Sequence, residues 1–81
     1  MMDEQLRQRI SVSPSTMAGK AVIRGTRIPV DLVLRMLSQG ISEQEILREY
    51  PRLEPADIHA ALAYAADVVA HEEVFPLVAS N

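Results

Sequence analysis

Near the start of the chain apolar and polar residues alternate one for one; further on the apolar residues recur every third or fourth position. In QRISVSP, Ile10 and Val12 alternate with Arg9, Ser11 and Ser13, and Pro14 follows. That is the period of a half-buried strand with a stop behind it. AVIRG is a second short run of strand character, closed by Gly25. The turn-rich PSTMAG between them predicts a small hairpin or a pair of arm-like strands. Two short strands are not stable alone in water. They must lie on helices or pair with strands of another chain across an exposed edge.

The period then changes to that of helices. Val30, Val33, Leu34 and Leu37 share one face of a first helix, with Pro29 placed for its first position, Asp31 near its positive end and Gly40 where a left-handed cap is wanted. Ser42 and Glu45 have the spacing of a capping box, and Ile41 and Ile46 that of a hydrophobic staple, so a second helix begins there. Ile46, Leu47 and Tyr50 form its inner face over about two turns, and Pro51 cannot continue it. Pro55 opens a third helix whose inner face reads Ile58, Ala61, Leu62, Ala65 and Val69, with Leu53 placed to staple onto Ile58. The expected fold is α+β: short N-terminal strands, then a three-helix core of helix-turn-helix or homeodomain-like outline. One domain covers residues 1–81, with a strand segment over 8–25, the helical core over 29–73 and an apolar tail over 74–81 that frays after Pro76.

Length bounds the energetics: a chain of 81 residues builds one small core and is prone to lean on oligomerisation or a partner. It has no cysteine, so neither disulfides nor thiolate metal sites add stability. No apolar run approaches membrane-spanning length and the N-terminus is polar, which predicts a cytoplasmic protein without a membrane partner. The net charge of −3 conceals an asymmetry. Arg7, Arg9, Lys20, Arg24, Arg27 and Arg35 face only Asp31 within residues 7–35, whereas carboxylates dominate from residue 36 onward. A basic front on an acidic body suits a local anionic contact or head-to-tail packing, and two solvated faces are the plainer reading.

Candidate chemistry is sparse. Gly19-Lys20 is followed by Ala21 and position 14 is proline, so the stretch is not a Walker loop. Gly25 reads as a backbone hinge between strand and helix, Thr26 as a residue that bonds local backbone, and Arg27 as solvated or paired with a carboxylate. His59 and His71 have no partner at metal-ligand spacing, the carboxylates of the second and third helices face outward by period, and no nucleophile has a recognisable base. The third helix carries Glu54, Asp57, His59, Tyr64 and Asp67 but no lysine or arginine. Reading of DNA by that helix is therefore disfavoured, and any DNA contact falls to the basic strand segment around Arg24 and Arg27. These residues predict a non-enzyme without cofactor or metal.

The string GKAVIRGTRIPVDLVLRMLSQGISEQEILREYPRLEPADIHAALAYA resembles the domain-of-unknown-function 433 family. Gly19, Lys20, Val22, Ile23, Gly25, Thr26, Arg27, Pro29 and Val30 match its first motif; Gly40, Tyr50, Pro51 and Leu53 match its second. Ala21 departs from a frequent proline, and Glu54 from a frequent threonine cap. The resemblance implies a small prokaryotic protein with a helix-turn-helix-like fold. It also implies, by analogy, an antitoxin encoded beside a PIN-like ribonuclease toxin.

On this reading the chain is a non-catalytic binding module, the antitoxin-like half of a type II toxin-antitoxin pair. The alternative is a transcriptional regulator that touches operator DNA through its basic strand segment. Lys20, Arg24 and Arg27, together with the apolar tail residues Val74, Phe75, Leu77 and Val78, are the expected partner contacts. The tail alternatively covers the chain's own helices or those of a dimer mate. A homodimer held through the strands at Ile10, Val12, Val22 and Ile23 is expected, because the strands have no evident partner sheet.

Overall fold

A computed structural model describes residues 3–13 and 19–72. In chain order it contains α1 (Glu4–Arg7), β1 (Ile10–Val12), β2 (Ala21–Ile23), α2 (Val30–Ser38), α3 (Glu43–Glu49) and α4 (Pro55–Ala70). The three helices expected from the sequence are α2, α3 and α4. The tail over 74–81, with Val74, Phe75, Leu77 and Val78, lies outside the described residues.

α1 is unannounced by any period, because one turn with a single apolar residue has none to show. Asp3 caps it, its side chain accepting from the Gln5 N–H at 2.9 Å. Leu6 packs against the core, and α1 lies on α4. The strands form a two-stranded antiparallel sheet with Ile10 opposite Ile23, Ser11 opposite Val22 and Val12 opposite Ala21. Ile10, Val22 and Ile23 are buried within the chain's own core, while Val12 is 57% exposed. The sheet therefore rests on the helices, and of the four strand residues expected in a dimer contact only Val12 presents its side chain outward. α4 packs on β1 and α2 on β2.

Pro29 is one residue outside the helix it was expected to begin. Its φ of −69° and ψ of 145° are extended, it bridges antiparallel to Val22, and α2 starts at Val30. The far end of α2 closes as expected. Gly40 has φ +86°, its N–H donates to Leu37 O at 3.0 Å, and the Ile41 N–H donates to Met36 O at 3.1 Å. This double closure is a Schellman motif, in which a left-handed glycine turns the chain so that two orphan carbonyls are satisfied. Ile41, two residues past the cap residue Gln39, then leads directly into the next cap.

At Ser42 the capping box forms on both sides: Ser42 Oγ accepts from the Glu45 N–H at 3.1 Å, and Glu45 Oε1 accepts from the Ser42 N–H at 3.0 Å. Ile46, at the staple position, is fully buried. Pro55 sits at the first position of α4 as expected, and Leu53 and Ile58 are both buried.

α4 packs against α1, α2, α3 and β1 and is the central element. Its buried residues are Asp57, Ile58, Ala60 and Ala61, whereas Leu62 and Val69 are 44% and 59% exposed. The inner face is thus rotated from the one read off the period. Alanine at 56, 60, 61, 63, 65, 66 and 70 leaves little contrast around the helix, and a small residue is accepted inward wherever neighbouring helices approach closely. Among the carboxylates expected to point outward, Asp57 is an exception at 6% exposed.

Candidate functional site

Two turns meet at one end of the fold, one joining β2 to α2 and the other joining α3 to α4. In the first, the Thr26 N–H donates to Ile23 O at 3.0 Å and Gly25 takes φ +82°, the left-handed conformation that a tight turn requires at its third position. No atom lies within 4 Å of where a Cβ on Gly25 would stand, so the requirement is one of backbone conformation and not of space. Thr26 then ties the turn to the following segment. Its hydroxyl donates to Ile23 O at 2.7 Å and accepts from the Ile28 N–H at 3.0 Å. The Ile23 N–H in turn donates to Ile28 O at 3.0 Å, which brings the chain back alongside β2 before α2 begins.

Arg24 is the fixed arginine of this turn. Its guanidinium donates through Nε to Gln8 O and through Nη2 to Ile10 O at 3.1 Å, while its N–H donates to Arg9 O at 2.7 Å. Carbonyl acceptors orient the group but leave its charge unneutralised. Arg27, read from the sequence as either solvated or paired with a carboxylate, is exposed and has no side-chain partner among the described residues. The anchor comes instead from the neighbouring turn: Arg52 Nη2 donates to Gly25 O at 3.1 Å. Twenty-seven residues separate the two, which is why no local pattern announced the contact. Arg24 and Arg27 thus stem from one tight turn to which Arg52 also bonds, and none of the three has a carboxylate partner among the described residues.

The other predicted contact residue, Lys20, stands apart. Its Nζ lies 3.2 Å from Asp31 Oδ2, and Arg35 approaches the same oxygen at 3.9 Å across one helical turn. Lys20 is thus a paired cation over the start of α2. Of the remaining motif residues, Gly19 precedes β2, Tyr50 caps the end of α3 with its ring half-buried, and Pro51 is exposed in the turn that follows.

Asp57 and Arg9 form a second long-range polar contact that sequence reading missed. Arg9 Nη1 is 3.0 Å from Asp57 Oδ1 and 3.2 Å from Glu54 Oε1, while Asp57 Oδ2 accepts from the Glu54 N–H at 2.8 Å. Hydrogen bonds from the guanidinium to Asp57 and then Glu54 raise the Arg9 pKa above its ordinary value. Glu54, which departs from a threonine cap, directs its carboxylate to Arg9, and Asp57 satisfies its N–H in return. The position of aspartate at the third residue of α4 was the available signal, being half of a capping box; the arginine that answers it lies too far away in the chain to be paired by inspection.

His59 is exposed on α4. At the end of that helix, His71 Nδ1 lies 2.7 Å from Asp67 O and 3.7 Å from its carboxylate. No group of three or more histidine, cysteine, aspartate or glutamate side chains is placed to hold a metal ion among the described residues. Among the same residues no helix is long and apolar enough to cross a membrane.

Residues 10–65 match the family model described as a protein of unknown function, DUF433. The chain belongs to the DUF433 family. A crystal structure of a DUF433 member from Anabaena variabilis is similar with a TM-score of 0.74 and 34% identity, over 83% of this chain and 66% of that one. The uncharacterized protein y4eO of Sinorhizobium fredii is 36% identical over 59 residues, which are 73% of this chain and 27% of that protein. The chain thus spans just under two thirds of the solved relative and about a quarter of y4eO. The matched region runs from β1 into α4, and so includes both turns of the arginine site.

Proposed function

We propose that this DUF433 protein is a non-catalytic binding module, the antitoxin-like member of a type II toxin-antitoxin pair that neutralises a PIN-like ribonuclease. The observation that carries the reading is that Arg24 and Arg27 stem from one hydrogen-bonded turn to which Arg52 also bonds, all three without a carboxylate partner among the described residues. Nucleases of that class display clustered carboxylates that bind divalent metal. A guanidinium presents a planar fork that matches a carboxylate through two hydrogen bonds, and orienting it beforehand lowers the entropy lost on binding. Arg24 is oriented by main-chain carbonyls, while Arg27 and Arg52 are exposed.

The decisive experiment combines the purified chain with the PIN-like nuclease encoded beside it. Arg27→Glu is expected to lose suppression of RNA cleavage and Arg48→Ala to keep it, with both variants folded by circular dichroism. Full suppression by Arg27→Glu sinks the proposal.

One observation favours a second reading, contact with operator DNA. Glu54 and Asp57 stand at the start of α4 and weigh against an approach to phosphate, but Arg9 pairs with both. Arg52 also lies in the turn between α3 and α4, where a helix-turn-helix meets the DNA backbone. On this reading affinity for a DNA fragment falls steeply with salt and Arg52→Ala flattens that slope by about one phosphate contact. A nuclease complex that persists where DNA dissociates separates the two readings.

A further inference from the structure

The two edges of the small sheet are finished differently. β2 is flanked on both sides: β1 pairs with it on one, and on the other Val22 bridges antiparallel to Pro29 while the Ile23 N–H donates to Ile28 O at 3.0 Å. β1 has no second strand beside it among the described residues. The register fixes which of its groups face that open side. The Arg24 N–H donates to Arg9 O at 2.7 Å, so Arg9 and Arg24 are a hydrogen-bonded pair, and by the alternation of an antiparallel ladder Ser11 and Val22 are the next. Ile10 and Val12 therefore hold the intervening positions, and their N–H and C=O groups point away from β2. A row of this kind is a template for a further strand. Val12, 57% exposed, adds an apolar side chain beside it.

Arg24 covers the first part of this edge. Its Nη2 donates to the outward Ile10 O at 3.1 Å, and its Nε donates to the carbonyl of Gln8, two residues earlier. Arg24 starts from the β2 side, so its side chain reaches across β1 to make these bonds. We propose that Arg24 guards the outer edge of β1 and so keeps two copies of this chain from joining their sheets strand to strand. An arriving strand needs the Ile10 carbonyl as an acceptor, and the guanidinium already occupies it. A copy that paired through its own β1 would also bring a second Arg24 to the same seam, where like charges repel. Val12, further along the strand, has no such cover from Arg24, so the edge depends on this one side chain. The proposal concerns the chain alone and rests on no nuclease or DNA.

Sedimentation velocity over a dilution series tests it. Arg24→Ala is expected to fold as judged by circular dichroism, because Arg24 is exposed and water takes its place at the carbonyls. It is expected to self-associate about tenfold or more tightly than the parent. Arg24→Gln, which retains a donor but not the charge, is expected to behave in the same way and serves if the alanine variant does not fold. Val12→Pro removes an outward N–H, a change that edge strands accept. In the Arg24→Ala background it is expected to abolish the added association, and in the parent to change nothing. Equal masses for the parent and both Arg24 variants across the series overturn the proposal. So does added association that survives Val12→Pro, which places the contact elsewhere. A parent that self-associates and loses this in Val12→Pro alone uses the edge with Arg24 present, and that result overturns the proposal without recourse to an Arg24 variant.

Discussion

Arg9 Nη1 stands 3.0 Å from Asp57 Oδ1 across forty-eight positions of sequence, and this contact joins the N-terminal arm to the first turn of the central helix. Asp57 is 6% exposed, and its other oxygen is taken by the Glu54 N–H at 2.8 Å. Removing the guanidinium leaves a largely buried carboxylate with one hydrogen bond where it had two, which costs more than removing a solvated arginine. Arg9→Ala is therefore expected to give the lowest urea midpoint of any single arginine-to-alanine variant. In Arg9→Ala/Asp57→Asn the charge left behind is neutralised, so the double variant should be more stable than the sum of the single losses. Strict additivity in that double-mutant cycle would show that the two residues are not coupled.

Arg52, and not Arg27, is the arginine that anchors the turn after β2. Arg52 donates to Gly25 O at 3.1 Å, whereas Arg27 has no side-chain partner among the described residues. Arg52→Ala is expected to lower stability by up to about 1 kcal/mol, the net value of an exposed hydrogen bond, and Arg27→Ala to stay within about 0.5 kcal/mol of the parent. Denaturant melts of the two variants, compared under one buffer, check the order. The reverse order would mean that the Gly-Thr-Arg triplet holds its own arginine after all.

What was legible in the chain was local. Ser42 with Glu45, Gly40 behind α2, and Leu53 ahead of Ile58 are signals confined to a few residues, and each appears in the fold where it was read. The antiparallel strand pair and the three longer helices followed from the same kind of signal, and so did membership of the DUF433 family. Contacts between distant segments were not legible. Arg9 with Asp57 and Arg52 with Gly25 each join turns that only the packing of α4 brings together. The face of α4 was misread for a related reason: a helix built on alanine is apolar nearly all round, so neighbouring elements choose its inner side and its own period does not. Within the candidate site, Arg24 and Arg27 were visible as a basic run, but Arg52, twenty-seven residues from Gly25, was not.

The α3 cap carries a pH dependence with a definite sign. Hydrogen bonds from the Ser42 backbone and then its side chain, with a smaller attraction from Arg48, hold the Glu45 carboxyl below its ordinary pKa. A carboxylate depressed in the folded state contributes stability that is fully present above the unfolded value and lost as pH falls through the folded one. Glutamine also closes a capping box but does not titrate. The stability advantage of the parent over Glu45→Gln is therefore expected to be constant from pH 6 to pH 8 and to shrink as pH falls below the ordinary glutamate range. Paired thermal melts at pH 7 and pH 3 check this, and an advantage that grows on acidification contradicts it.

Thr26 controls the geometry on which the arginine site depends. Its hydroxyl donates to Ile23 O at 2.7 Å and accepts from the Ile28 N–H at 3.0 Å, so one side chain closes the turn in both directions. Thr26→Val keeps the shape and removes both bonds, leaving the Ile28 N–H without that acceptor; a loss of about 1–3 kcal/mol is expected. Serine restores the hydroxyl, and Thr26→Ser is expected to recover most of it. The functional consequence separates from the stability one. At temperatures where all three proteins are fully folded, Thr26→Val leaves the charges of Arg24, Arg27 and Arg52 in place but loosens the turn that spaces them, so partner affinity should fall chiefly through faster dissociation. Surface plasmon resonance against the proposed nuclease partner, run beside Thr26→Ser, checks that split. An unchanged dissociation rate in Thr26→Val would mean that net positive charge suffices and that the hydrogen-bonded turn has no part in recognition.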